Sequence, residues 1–147
     1  MAIAITDPKV LATTFNDTFN AHNESAIRRL VSPQIRLTAP GEVRLEGKDQ
    51  FARYLIDWMK GFPDARMTVR HEIVSGPWVV QEYTFEGTHR GTLTGPVGDI
   101  PATNRKVVNH GAQLIRFEND LIVEFRLYFD MVETLNQLGV MPTPVKA

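Results

Sequence analysis

The chain has 147 residues, no cysteine, and sixteen basic against seventeen acidic side chains, a net charge of −1 with histidine neutral. Those numbers exclude disulfide frameworks, thiolate catalysis and cysteine-based zinc sites, and without a long like-charge run they speak against nucleic acid or an anionic membrane as partner. The length suits one domain over residues 1–147. With no apolar run near the roughly 20 residues that cross a bilayer and no signal-like N-terminus, a cytoplasmic protein is expected.

Asp7-Pro8 opens the first helix, a capping carboxylate followed by a fixed-φ ring at the first helical position. The helix is expected to run to about Asn20 and to bury Val10, Leu11, Phe15 and Phe19, joined by Thr14 and Thr18. His22 lies in the following turn. A second short helix carries Ile27, Leu30 and Val31 and stops at Pro33. Residues 34–39 alternate as a short strand, and a loop follows from Pro40 through Gly47. The third helix, 48–60, puts Phe51, Leu55, Trp58 and Met59 on one stripe and halts at Gly61 and Pro63.

From Ala65 the period changes to two, predicting strands over 66–74, 78–88, 105–118 and 121–129, with a long loop at 93–104. In the last strand Leu121, Val123, Phe125, Leu127 and Phe129 alternate onto a dry face; at Asp130 the period becomes helical through Val132, Leu135 and Leu138, and Gly139 ends the run. Helices first and antiparallel strands afterwards is an α+β order. The expected architecture is a cone-shaped, curved, mostly antiparallel sheet covered by three N-terminal helices, with a short C-terminal helix and an internal pocket where the helices cannot fill the concavity.

Five pieces occur in order: Gly61-Phe62-Pro63-Asp64, Gly76-Pro77-Trp78, Gly87-Thr88-His89-Arg90-Gly91, Ile100-Pro101-Ala102-Thr103-Asn104-Arg105 and Gln137-Leu138-Gly139. In these the chain resembles the SnoaL-like polyketide cyclases of the nuclear transport factor 2-like superfamily, which also holds ketosteroid isomerase and limonene epoxide hydrolase. The resemblance implies a cofactor-free intramolecular aldol closure, in which a pocket carboxylate is acid and base and polar neighbours hold the enol oxygen. It also implies that the family's acid/base Asp falls at Leu127 and its accompanying His at Gln113. The aldol mechanism in that form is therefore not expected.

Other residues must carry any chemistry. Asp130 is either a catalytic carboxylate at the sheet's rim or, with Glu133 in a D-x-x-E spacing, a helix cap, and the spacing favours the cap. His89 shares parity with Val79, Gln81, Tyr83 and Phe85, so it can face the cavity as a proton-transfer residue or can hold the 87–91 turn. Gln113 and Asn109, on one parity, can hold a substrate carbonyl, and Tyr83 can donate to an oxyanion. Trp58 can be core and ligand platform together, while Phe125, Leu127 and Phe129, with Ile115, supply a dry lining. His71 shares parity with Met67, Val69 and Ile73 and is expected in the core or an interface. Nothing has metal-ligand spacing, and no cofactor is expected. The expected ligand is a small, apolar, carbonyl-bearing molecule, which the protein cyclises, isomerises or hydrates, or only binds and carries. Val80, Val108, Leu114 and Tyr128 on the outer sheet face suggest a homodimer.

Overall fold

The computed structural model describes residues 6–96 and 98–141. The Asp7 side chain accepts from Lys9 N at 2.9 Å, and helix α1 runs Pro8–Asn20. Its buried stripe is Ala12, Phe15, Asn16 and Phe19, rotated from the predicted face so that Val10 is 54% exposed. An asparagine takes a place expected for an apolar side chain because it has partners across the core. Helix α2, Glu24–Arg29, ends before Val31, which opens strand β1, Val31–Ala39. Pro33 thus lies within a strand; it is accommodated because the ladder to the neighbouring strand is irregular between Val31 and Arg36, where its missing N–H costs no bond.

The expected loop before the third helix contains strand β2, Val43–Glu46, which returns on β1 through a turn with Gly41 and Glu42 at positive φ. Helix α3 spans Lys48–Gly61. Strands β3, Arg66–Ser75, and β4, Trp78–Thr88, form a hairpin. The long loop holds a small hairpin of its own, β5 Leu93–Gly95 and β6 Gly98–Ile100, separate from the main sheet. Strands β7, Lys106–Glu118, and β8, Leu121–Phe129, complete a six-stranded sheet of order β2-β1-β8-β7-β4-β3. β1 pairs with β8 in parallel, and the other ladders are antiparallel.

Two bulges overturn parity expectations. β7 and β8 slip between Arg116 and Phe117, opposite Val123, so Ile122 is buried inward with Phe125 and the uniform alternation from Leu121 to Phe129 fails. β3 slips between Val69 and His71; beyond it His71 faces solvent beside Glu82 at 3.0 Å, and Ile73 is 64% exposed. His71 is therefore not a core residue.

The core lies between the helices and the concave sheet face. Phe15, Phe51 and Phe125 pack with centroids 5.5 to 6.2 Å apart, joining α1, α3 and β8. Trp58 meets Phe62, Phe85 and Phe129 at 5.8, 5.6 and 5.4 Å. Such edge-to-face and offset pairs contribute about 0.5–1.5 kcal/mol each beyond their burial.

Helix α4, Met131–Leu138, is closed by Gly139 at φ 74°, buries Thr134 and Leu138, and is tied at its outer edge by Gln137. Gln137 accepts from Val108 N at 2.7 Å and donates to Val108 O at 2.8 Å, standing in for a strand residue beyond the end of β8. Gln137→Ala removes both bonds at a solvent-accessible edge and is expected to cost about 1 kcal/mol, read as a fall in melting temperature of about 3 °C. An unchanged melting temperature would show that the amide does not hold α4.

Candidate functional site

The concavity leaves a cavity of about 510 Å³, mouth included. α1 contributes Phe15 and Phe19; α3 contributes Tyr54, Leu55 and Trp58; β3 contributes Met67. The sheet floor is Tyr83 and Phe85 from β4, Asn109 and Gln113 from β7, and Phe125, Leu127 and Phe129 from β8. Gln113, Tyr83, Asn109, Trp58, Phe125, Leu127 and Phe129 are thus brought together around one cavity. His89 and Asp130 are not.

Asp130 caps α4, its Oδ1 accepting from Glu133 N at 3.0 Å, and is exposed. Its position is that of a cap, outside the cavity lining. His89 is fully buried but lies beyond the cavity wall, its ring 5.3 Å from Phe62. Its Nδ1 accepts from Thr103 N at 3.1 Å and lies 3.0 Å from Thr103 Oγ1, while its backbone pairs with Arg105 O and Asn104 N. The parity that aimed it inward ends with β4 at Thr88, and beyond it the chain turns to clasp the 93–104 loop. The proton-transfer expectation for His89 is corrected accordingly: the imidazole holds a loop.

Among the described residues, no carboxylate or imidazole lines the cavity; its polar groups are two phenols, two amides and the Trp58 indole N–H. Burial pushes the Tyr54 phenol up to about 12, with Trp58 as hydrogen-bond partner pulling the other way. Burial also pushes Tyr83 up, and the neighbouring Tyr54 adds to the shift. Both are neutral donors at neutral pH. The Tyr83 hydroxyl sits over Gly111, where a Cβ would stand 2.6 Å from that oxygen and 2.6 Å from the Tyr128 carbonyl, so only glycine lets the ring lie flat on the floor.

The amides have defined partners. Gln113 Nε2 donates to Gln81 Oε1 at 2.8 Å and Asn16 Oδ1 at 3.1 Å; Asn16 Nδ2 donates to Gln81 Oε1 at 2.9 Å; Gln81 Nε2 donates to Glu72 Oε2 at 2.6 Å. Asn109 Nδ2 donates to Thr134 Oγ1 at 2.7 Å, and Asn109 Oδ1 is buried without a partner. Tyr54 and the Asn16–Gln81–Glu72 chain were not foreseen. Tyr54 falls at helical spacing with Phe51, Leu55 and Trp58, a signal already in the sequence, whereas the amide chain joins residues up to 97 positions apart and had none.

A curved mixed sheet covered by helices over a largely apolar cavity is the nuclear transport factor 2-like fold, the shape also called ketosteroid-isomerase-like. The chain belongs to the SnoaL-like polyketide cyclase family, whose model matches residues 9–138. Solved structures agree on the fold. AclR from Streptomyces galilaeus is 24% identical over 95% of this chain and 85% of that one, with a TM-score of 0.78. IdmH from Streptomyces antibioticus is 23% identical over 92% and 100%, with a TM-score of 0.77. A protein with a ketosteroid isomerase-like fold from Catenulispora acidiphila, solved with trimethylamine, is 18% identical over 95% of this chain and 100% of that one, with a TM-score of 0.74. No curated protein matches the chain. Among the described residues no helix is long and apolar enough to cross a membrane.

Burial holds the His89 imidazole below its ordinary value, opposed by the Ile100 carbonyl. Between the lowered folded value and the ordinary one the unfolded chain binds more protons, so this residue's share of stability is full above the ordinary value and is lost as pH falls through the folded one. The wild-type melting temperature is expected to drop more steeply below about pH 6.5 than that of His89→Asn, measured by circular dichroism. Parallel pH slopes would contradict the buried neutral imidazole.

Proposed function

We propose that this protein binds a small, predominantly apolar, oxygen-bearing molecule in the cavity between α1, α3 and the sheet, and supplies no side-chain base for its turnover. The observation that supports this most is the wall itself: aromatic rings surround neutral polar groups and, among the described residues, no ionisable side chain but Tyr54 and Tyr83 lines it. A carbonyl oxygen is suited to a phenol donor, while the rings of Trp58, Phe85 and Phe129 suit a flat apolar skeleton. Gln113, Asn109, Phe125 and Leu127 complete the proposed contacts.

A second reading is favoured by the paired phenols. Tyr83 can stabilise the enolate oxygen that forms when a water molecule takes the α-proton of a carbonyl ligand, giving isomerisation when the proton returns at another carbon, or cyclisation when the enolate carbon attacks a second carbonyl and the proton ends on the new hydroxyl, without a protein carboxylate. The two readings separate with 2-acetylnaphthalene. Binding is expected as saturable quenching of Trp58 fluorescence in a Trp78→Phe background, weakened about tenfold by Tyr83→Phe. Absence of saturable quenching would overturn the binding proposal. Deuterium exchange into the methyl ketone, accelerated by wild type and lost in Tyr83→Phe, would support turnover; exchange at the buffer rate would remove it.

The outer sheet face is proposed to pair two copies. Tyr128 is 55% exposed there, and on the same face Arg116 and Arg126 approach the Trp78 ring at 5.8 and 5.5 Å. Light scattering at micromolar concentration is expected to give twice the chain mass, and a monomeric mass would exclude the homodimer.

A further inference from the structure

The amide orientations carry information about the ligand. A carboxylate can only accept hydrogen bonds, so Glu72 requires Gln81 to present Nε2 to it, which turns Gln81 Oε1 inward. That oxygen accepts from both Asn16 Nδ2 and Gln113 Nε2. The second hydrogen of Gln113 Nε2 goes to Asn16 Oδ1. Both donors of Gln113 are thereby consumed, and the polar atom this side chain has left for the cavity is its carbonyl oxygen.

A separate chain sets the other amide. The Thr134 hydroxyl donates to the Asp130 carbonyl at 3.1 Å, so its oxygen can only accept from Asn109, and Asn109 must turn Nδ2 towards it. Asn109 Oδ1 is then left buried and unpartnered on a side chain only 3% exposed. A buried carbonyl oxygen without a donor is desolvated and unpaired, a penalty that a ligand donor would remove. Gln113 and Asn109 stand four residues apart on one face of β7, with the Tyr83 hydroxyl over Gly111 between them.

We infer that the cavity selects ligands carrying hydrogen-bond donors, hydroxyl groups on an apolar skeleton, and that Glu72 and Thr134 are positioning residues that fix this polarity. The inference rests on the cavity being a ligand site and adds to it the chemical class: a hydroxylated molecule rather than one bearing carbonyl or ether oxygens alone. Each fixed acceptor rewards a donor and gives nothing to an acceptor. The two phenols, able to do both, do not discriminate.

The test compares 2-naphthol with 2-methoxynaphthalene by isothermal titration calorimetry. Wild type is expected to bind the naphthol at least about tenfold more tightly. Glu72→Gln replaces the acceptor-only group with one that can also donate, letting Gln81 and then Gln113 turn over. The naphthol preference is expected to shrink several-fold while affinity for the ether holds. Equal wild-type affinities would overturn the selectivity and leave the cavity's binding role standing. No binding of either probe would overturn both. An unchanged preference in folded Glu72→Gln would overturn the positioning role of Glu72, and if that variant does not fold, the wild-type ratio still decides the selectivity.

Discussion

The hydrogen bond from Gln81 to Glu72, 2.6 Å long at the edge of the cavity floor, is where the polarity of the interior is decided. Inward of it, Gln81, Asn16 and Gln113 form a buried amide cluster that ties α1 to β4 and β7. Asn16 sits where a helix buried against a sheet would ordinarily carry an apolar side chain. Removing one member leaves its neighbours buried without partners, whereas the intact set is satisfied and stiff. Lys9, 4.0 Å from the second Glu72 oxygen, sits at the exposed end of the chain and is too solvated to contribute much.

Around that cluster the aromatic packing does two jobs. Phe15, Phe51 and Phe125 bind the helices to the sheet, and the Trp58 group caps the far side, so the space between is bounded by rings that cannot collapse into it. The result is a largely apolar cavity that is polar only at a few points. Leu127, in a position where the family resemblance implies a carboxylate, lines that cavity as an aliphatic side chain. Burial raises both phenols further from ionisation, so nothing in the wall is poised to exchange protons near neutrality.

Much of this was legible in the residues. The capped first helix, the α3 stripe and the switch to period two follow from local chemistry that tertiary contacts only reinforce. Parity along β4 and β7 correctly set Tyr83, Asn109 and Gln113 inward, because those stretches pair without a slip. It misled in β3 and β8, where one extra residue in each ladder reverses the faces and no local residue type announces it. β2 and the small β5–β6 hairpin are too short for alternation to stand out from a loop. His89 shows the limit most clearly: the strand whose parity aimed it inward ends one residue earlier, and its partner Thr103 lies fourteen residues on.

The claim at the centre is that ligand affinity depends on neutral donors and acceptors and on no titrating side chain in the cavity. The most direct measurement is the dissociation constant of a neutral hydroxylated aromatic between about pH 5 and pH 8, at a temperature well below unfolding. A flat profile is the expected result. A step or bell in that range would place an ionising group against the ligand and contradict the neutral cavity.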